Sequence, residues 1–225
     1  MGLKQSIKRM LVGSEVAPRK IRGGTLRGHQ FIVDPATDTM KVYGLWETEI
    51  VPDIRRLTAG ARTGCDVGAN TGWYATYFAL QPSIEKVFAF EGDPSFEALA
   101  RRNLALNGPE YLSKATLIYK FVGSRDDDQW VSLDFALGDA PEPIVLKIDV
   151  DGGEMDVLRG AASTLRDKDC RLIIETHTAE LERECLAFLE GLGYRTRVIK
   201  NGWYRGILPE GRVIEHNRWM TAVRA

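Results

Sequence analysis

Cysteine and histidine are scarce in this chain, with three of each among 225 residues. Cys65, Cys170 and Cys185 are an odd set without close-paired spacing, which excludes a disulfide framework and fits buried, inert thiols in a reducing compartment. His29, His177 and His216 supply no metal motif. No apolar run is long enough to span a bilayer and no signal peptide is evident, so the expected location is cytoplasmic. Internal repeats and low-complexity linkers are also missing. With 44% hydrophobic residues, the composition suits one globular domain with a substantial core. A G-x-G-x-x-G turn is absent as well, which speaks against an NAD-dependent oxidoreductase.

What stands in place of that turn is Asp66-Val67-Gly68-Ala69-Asn70-Thr71-Gly72. It lies between an apolar segment and a helical one, where an α/β sheet makes a pocket for an adenosine-bearing cofactor. Its leading residue is an anion, a poor host for a pyrophosphate. The sulfonium and ammonium of S-adenosylmethionine suit an acidic pocket edge. Gly68 and Gly72 let the backbone approach the ligand.

A second element follows at a useful distance. Lys86 to Phe90 reads as a strand closed by Glu91, where a carboxylate grips a ribose diol. Asp93-Pro94 starts a helix, and Asn107-Gly108-Pro109 stops it. Further along, Ile144 to Asp149 reads as a buried parallel strand with Lys147 and Asp149 on one face, placed to pair. Met155, Leu158, Ala162 and Leu165 then recur at helical spacing. Strand-like and helical segments alternate from about Gly64 to Leu192, which predicts a parallel sheet covered on both faces. Tyr194 to Lys200 and Arg218 to Arg224 add two strands at one edge.

The combination DVGANTGWY, AFEGDPSFEAL with NLALNG, KIDVDGGEMDVLRGA and LIIETHT resembles the FkbM-type methyltransferases from about Gly44 to the C-terminus. The resemblance implies a Rossmann-like class I methyltransferase. Its α/β fold would hold a mostly parallel seven-stranded sheet, helices on both faces and an antiparallel final strand. It also implies S-adenosyl-L-methionine as cofactor. The matching positions that would hold it are Glu47, Asp66, Gly68, Ala69, Asn70, Thr71, Gly72, Glu91, Gly92, Asp93, Val122, Gly123 and Asp149. The acceptor would be a hydroxyl of a sugar, glycan or other small metabolite. Residues 44–225 would form the methyltransferase domain, and residues 1–43 a basic segment packing on or preceding it. The chain departs from the family in Gly92, where proline is common, in Asp151, where glutamate is usual, and in its short stretch after Phe121. The sequence assigns no metal, although some methyltransferases of this fold hold one on carboxylates.

Methyl transfer to a protonated hydroxyl calls for a nearby base, and ligands bind at the C-terminal ends of the central strands. Asp149 is the first candidate, followed by Glu175 and His177, which alternation puts on one side of their strand. Lys147 reads as the neutraliser of a buried carboxylate, and Glu154 as a cap of its own helix. Trp219 reads as core, whereas Trp203-Tyr204-Arg205 suits sugar rings or bases equally. The ends of the chain are basic: Lys4, Lys8, Arg9, Arg19, Lys20, Arg22 and Arg27 face only Glu15 in the first thirty residues. Leu3, Ile7, Met10 and Leu11 would line one face of a short helix, and Met1-Gly2 with Ser6 fits a myristoylation pattern. The basic ends, with a lysine and an aspartate on one strand, favour RNA ribose 2′-O-methylation as the alternative. A non-catalytic S-adenosylmethionine-binding module is a further reading.

Overall fold

The computed structural model describes residues 15–35, 38–202 and 216–224. Leu3, Ile7, Met10, Leu11, the Met1-Gly2 pattern and Trp203-Tyr204-Arg205 lie outside the described residues. Two antiparallel strands come first, β1 (Ala17–Lys20) and β2 (Gln30–Val33), followed by α1 (Thr39–Tyr43) and α2 (Val51–Thr58). The alternating part then runs β3 (Thr63–Val67), α3 (Trp73–Ala79), β4 (Lys86–Phe90), α4 (Glu97–Ala105), α5 (Pro109–Ser113) and β5 (Ala115–Ile118). A two-residue parallel ladder, β6 (Phe121–Val122) with β7 (Trp130–Val131), and α6 (Leu133–Ala136) lead to β8 (Ile144–Ile148). After α7 (Glu154–Arg159) and α8 (Ala162–Asp167) come β9 (Cys170–Thr176), α9 (Ala179–Gly191), β10 (Tyr194–Val198) and β11 (Arg218–Arg224).

Seven strands form one sheet in the order β10-β11-β9-β8-β3-β4-β5. β5, β4, β3, β8 and β9 pair in parallel, while β11 pairs antiparallel with both β9 and β10. The final strand is therefore antiparallel, as the family resemblance implies. The chain winds outward from β3 through β4 and β5, then returns to the other side of β3 with β8. That reversal opens a crevice beyond the carboxyl ends of β3 and β8, where open α/β sheets bind ligands.

Both faces of the sheet are apolar because the strands alternate between two cores. Ile144, Leu146 and Ile148 join Met155, Val157, Leu158 and Leu189 on one face. Val145 and Ile173 join Ile54, Leu57, Tyr74, Phe78 and Trp219 on the other. Trp219 is fully buried, in keeping with a core role, and so are all three cysteines. Burial raises the thiols of Cys170 and Cys185 to about 12, leaving them protonated and unreactive.

Two elements differ from the sequence reading. The helix expected across Met155 to Leu165 is two helices broken at Gly160, where a Cβ would stand 1.9 Å from the Gly123 carbonyl oxygen. The close approach of those two loops sets the break. The helix expected from Asp93 opens instead as a 3-10 turn at Pro94–Phe96, with the Asp93 carboxylate accepting from the Ser95 amide. The N-terminal hairpin docks on α4: Asn103 and Asn107 each accept a backbone amide of β2, from Ile32 and Gln30.

Candidate active site

A cavity of about 480 Å³ occupies the crevice beyond β3 and β8, a size typical of small-molecule sites. It brings together Glu47, Gly68, Asn70, Glu91, Gly92, Val122, Asp149, Glu175 and His177 from the sequence-derived set. Asp66, Ala69, Thr71, Gly72, Asp93 and Gly123 do not line it; they shape the loops that do.

Asp66 is fully buried, and its Oδ2 accepts the Ala75 amide at 2.8 Å, serving the first turn of α3. Its Oδ1 lies 3.5 Å from Lys147 Nζ. Asp66 is thus an inner support of the glycine turn, not the acidic edge that the sequence suggested. The amides of Gly68 and Ala69 both donate to the Phe90 carbonyl, tying the turn to the end of β4. Gly68 has φ 79°, and a Cβ there would stand 1.9 Å from the Asp149 carbonyl oxygen. Gly72, with φ 83°, opens α3, and the Thr71 carbonyl accepts from Asn103 Nδ2. Gly123 presses against Trp130 and the Asp156 carboxylate.

Glu47 and Asn70 are the two non-glycine residues with positive φ among the described residues, and both face the cavity. Such conformations cost energy and concentrate at functional sites. Glu91 explains Asn70: its Oε2 accepts the Asn70 amide at 2.7 Å, while its Oε1 accepts the Asp93 amide at 2.9 Å. One carboxylate therefore bridges the loops after β3 and β4 and still faces the cavity.

Opposite Glu91, carboxylates outnumber cations. Lys147 Nζ lies 3.2 Å from Asp149 Oδ2 and 3.3 Å from the Gly68 carbonyl oxygen, under the Tyr74 ring. The pairing of Lys147 with Asp149 follows the reading from alternation, and Asp66 is a second partner. Burial works against the Asp149 anion, but Lys147, Glu175 and His177 outweigh it and hold its carboxyl below the usual range. Burial pushes Glu175 up to about 10, helped by the Asp149 anion to which it is hydrogen-bonded. A Glu175 carboxyl held up in this way keeps its proton at neutral pH and shares it with Asp149.

His177 is held by a buried partner while it lines the cavity. Its Nδ1–H donates to Glu154 Oε1 at 2.5 Å, and that bond, more than burial opposes it, raises the imidazole above its ordinary value. Glu154 is fully buried. The sequence reading had Glu154 capping its own helix; it also accepts the Gly152 amide, at 3.4 Å, so it serves both the helix start and the histidine. A wall formed by Phe121 and Trp130, with ring centroids 5.2 Å apart and Arg125 stacked on Trp130, was not legible as a unit. A Cβ on Gly92 would meet the Phe121 ring at 2.3 Å, so the glycine that replaces the family's proline makes room for this wall.

The family model for the methyltransferase FkbM domain matches residues 129–196, the part that carries Lys147, Asp149, Glu154, Glu175 and His177. That segment is similar to the methyltransferase FkbM domain, and the sheet around it has the Rossmann-like class I methyltransferase fold. Among solved structures, the chain is similar to the FkbM methyltransferase of Methylobacillus flagellatus, with 17% identity and a TM-score of 0.55. That match covers 72% of this chain and 44% of the other, so the chain spans less than half of that protein. Precorrin 8w decarboxylase from Methanobacterium thermoautotrophicum shares the fold at 20% identity and TM-score 0.51, covering 87% of this chain and 96% of its own. The O-methyltransferase TomG from Streptomyces achromogenes, solved with S-adenosylmethionine, gives 14% identity and TM-score 0.51 over 78% and 80% of the two chains. No curated protein matches the chain. Among the described residues, no helix is long and apolar enough to cross a membrane.

The cavity fits S-adenosylmethionine, the cofactor that the family resemblance implies. Glu91 closes β4 at the cavity edge, the place expected of a ribose-binding carboxylate, Gly68 leaves room for close backbone approach, and several carboxylates face the interior, where they would suit a cation. Burial, with Asp149 nearby, raises Glu47 to about 7 against Lys147 and its 2.5 Å hydrogen bond from Tyr74. Burial likewise raises Asp66 to about 6, against Lys147. Both acids hold their protons more tightly when folded. Their stabilising share is therefore complete below the ordinary carboxylate range and is lost as pH rises through about 6 to 7. For Glu47 alone the loss is about 3 kcal/mol. The melting temperature of the free protein is expected to be lower at pH 8 than at pH 5. Saturating S-adenosylmethionine should restore more at pH 8 than S-adenosylhomocysteine does, because only the former brings a sulfonium. Differential scanning calorimetry at fixed ionic strength checks both.

Proposed function

We propose that the protein is an S-adenosylmethionine-dependent methyltransferase of the FkbM type that transfers the methyl group to a hydroxyl oxygen of a sugar, a glycan or another small metabolite. The observation that carries the reading is Asp149, an ionised carboxylate whose Oδ2 is taken by Lys147 while its Oδ1 faces His177 inside the same cavity as Glu91. When bound, S-adenosylmethionine supplies an electrophilic methyl carbon: the acceptor oxygen bonds to it as the carbon–sulfur bond breaks, and the electron pair stays on sulfur. Glu91 would hold the ribose from one side, and Glu47 with Asp149 would offset the cofactor's positive charges from the other. Asp149 receives the proton of the acceptor hydroxyl, and His177 orients that hydroxyl from Nε2. The FkbM resemblance supports a sugar or small-metabolite acceptor over a nucleic acid.

Orientation contributes roughly 7–11 kcal/mol to such a displacement, and a positioned base about 10²–10⁴-fold. His177→Ala should accordingly lower turnover by about a hundredfold or more and leave S-adenosylmethionine affinity nearly unchanged. Labelled methyl transfer to pools of glycans, small polyols and RNA tests the acceptor class. Label in glycans or polyols supports the proposal. Label in RNA alone, with binding that weakens at high salt, replaces it with the ribose reading.

A further inference from the structure

The N-terminal hairpin carries a second concavity, an open pocket of about 680 Å³ between β1, the turn into β2 and the end of α1. Arg19, Lys20, Arg22 and Arg27 line it, Ile21 and Val42 give it a buried apolar floor, and no carboxylate is among its lining residues. The chain as a whole has a net charge of -1, so this is a local concentration of cations and not a general basicity. Like charges gathered in a concavity raise the local potential and draw in anions.

Two observations set these cations apart from an ordinary solvated face. Lys20, Arg22 and Arg27 have no carboxylate partner among the described residues, whereas exposed arginines elsewhere, such as Arg62 and Arg101, stand 2.7 Å and 2.8 Å from Glu85 and Glu97. The Arg22 guanidinium, moreover, lies over the Tyr43 ring, 5.2 Å from its centre, which restrains the plane of the fork. A fork held on a ring keeps its N–H edge for two oxygens of a phosphate or sulfate. The backbone around it is fixed as well: the Arg22 amide donates to the Val42 carbonyl at 2.7 Å and the Gly28 amide to the Ile21 carbonyl at 2.8 Å. The pocket therefore keeps its shape, and its side chains are what a ligand would meet.

The pocket is joined to the larger cavity beyond β3 and β8. From Val42 the chain passes Gly44 to reach Trp46 and Glu47, which line that cavity. The stretch from Val42 to Trp46 covers at most about 14 Å, short enough for one extended acceptor to reach both. At Gly44, with φ 70°, a Cβ would stand 2.1 Å from the Gly23 carbonyl carbon, so the hairpin and this segment are locked together. We infer that Arg19, Lys20, Arg22 and Arg27 form an oxyanion site that takes a phosphate or sulfate group of the acceptor. The inference rests on the proposed hydroxyl methylation and narrows its acceptor to an anionic sugar or glycan. A concave pocket suits one tetrahedral group, whereas a membrane surface would meet a flat basic face.

The test is calorimetric titration of the full chain with inorganic pyrophosphate, beside Arg22→Gln, Arg27→Gln, their double variant and Arg102→Gln, an exposed arginine on α4 outside the pocket. One saturable site is expected, weakened about tenfold by either pocket variant and about a hundredfold by both, with Arg102→Gln unchanged. All of these arginines are exposed, so the fold is not at risk, and S-adenosylmethionine affinity, measured in parallel, should stay constant. Methyl transfer to a glycan pool before and after phosphatase and sulfatase treatment identifies the source of the anion. Treatment should remove most of the label, and the double variant should raise the half-saturating concentration of the untreated pool severalfold while leaving the maximal rate unchanged. No pyrophosphate site in the wild type, or one weakened as much by Arg102→Gln, overturns the inference. Label that survives the treatment also overturns it, as does capture of the chain by phosphatidic acid vesicles or RNA that the double variant abolishes, because the anion would then belong to a lipid headgroup or a nucleic acid. S-adenosylmethionine binding retained in any of these cases leaves the methyltransferase reading intact, whereas its absence in the wild type counts against that reading alone.

Discussion

Lys147→Met should destabilise the protein by about 3–5 kcal/mol, the largest effect expected of any single change in the site. The ammonium is 4% exposed and stands between Asp66 and Asp149, and it also donates to the Gly68 carbonyl. Methionine matches its shape and leaves two carboxylates without their counter-charge in a dry environment. Removing one partner of a buried charge cluster costs far more than the cluster is worth intact, because the remaining charge cannot return to water. Urea unfolding at pH 7.5 gives the value directly. The loss should shrink at pH 5, where Asp66 and Glu47 take up protons and need the lysine less. A loss below about 1 kcal/mol at both pH values would mean that Lys147 is not the counter-ion of this site.

Glu91→Ala should lower S-adenosylmethionine affinity by about a hundredfold while changing stability much less. Hydrogen bonds to a charged group contribute about 1.5–3 kcal/mol each, and a ribose diol would make two. The same carboxylate holds the Asn70 and Asp93 amides, so its removal also frees Asn70 from its left-handed conformation and loosens the turn beneath the cofactor. Glu91→Gln separates the two contributions. The amide oxygen can still accept one loop amide, so this variant should retain part of the turn's order and lose most of the ribose grip. Calorimetric titration of both variants, with circular dichroism to verify the fold, measures the effect.

Much of this arrangement can be read from residue order because it depends on local chemistry. A strand that alternates between two apolar faces, ends in Asp149 and is followed by two glycines can only be a buried parallel strand with its polar end at a crevice. Lys147 and Asp149, two residues apart, must share a face, and they pair at 3.2 Å. What was not legible depends on distances across the fold. Asp66 looks like a pocket edge in sequence, yet strand twist and the entry of α3 turn its carboxylate onto the Ala75 amide. Glu154 lies 23 residues from His177, and only the packing of α7 against β9 makes them a pair. The protonated state of Glu175 follows from burial beside Asp149, which no periodicity reveals. The break at Gly160 comes from a loop 37 positions earlier, at Gly123, pressing on the backbone.

The central claim is that the crevice beyond β3 and β8 binds S-adenosylmethionine and presents its methyl group to Asp149 and His177. Calorimetric titration of the purified chain with S-adenosylmethionine, S-adenosylhomocysteine and NADH tests it most directly. Saturable one-to-one binding of the first two, abolished or weakened about a hundredfold by Glu91→Ala, is the predicted result. Binding of NADH alone, or S-adenosylmethionine affinity untouched by Glu91→Ala, would contradict the account and move the cofactor out of this cavity.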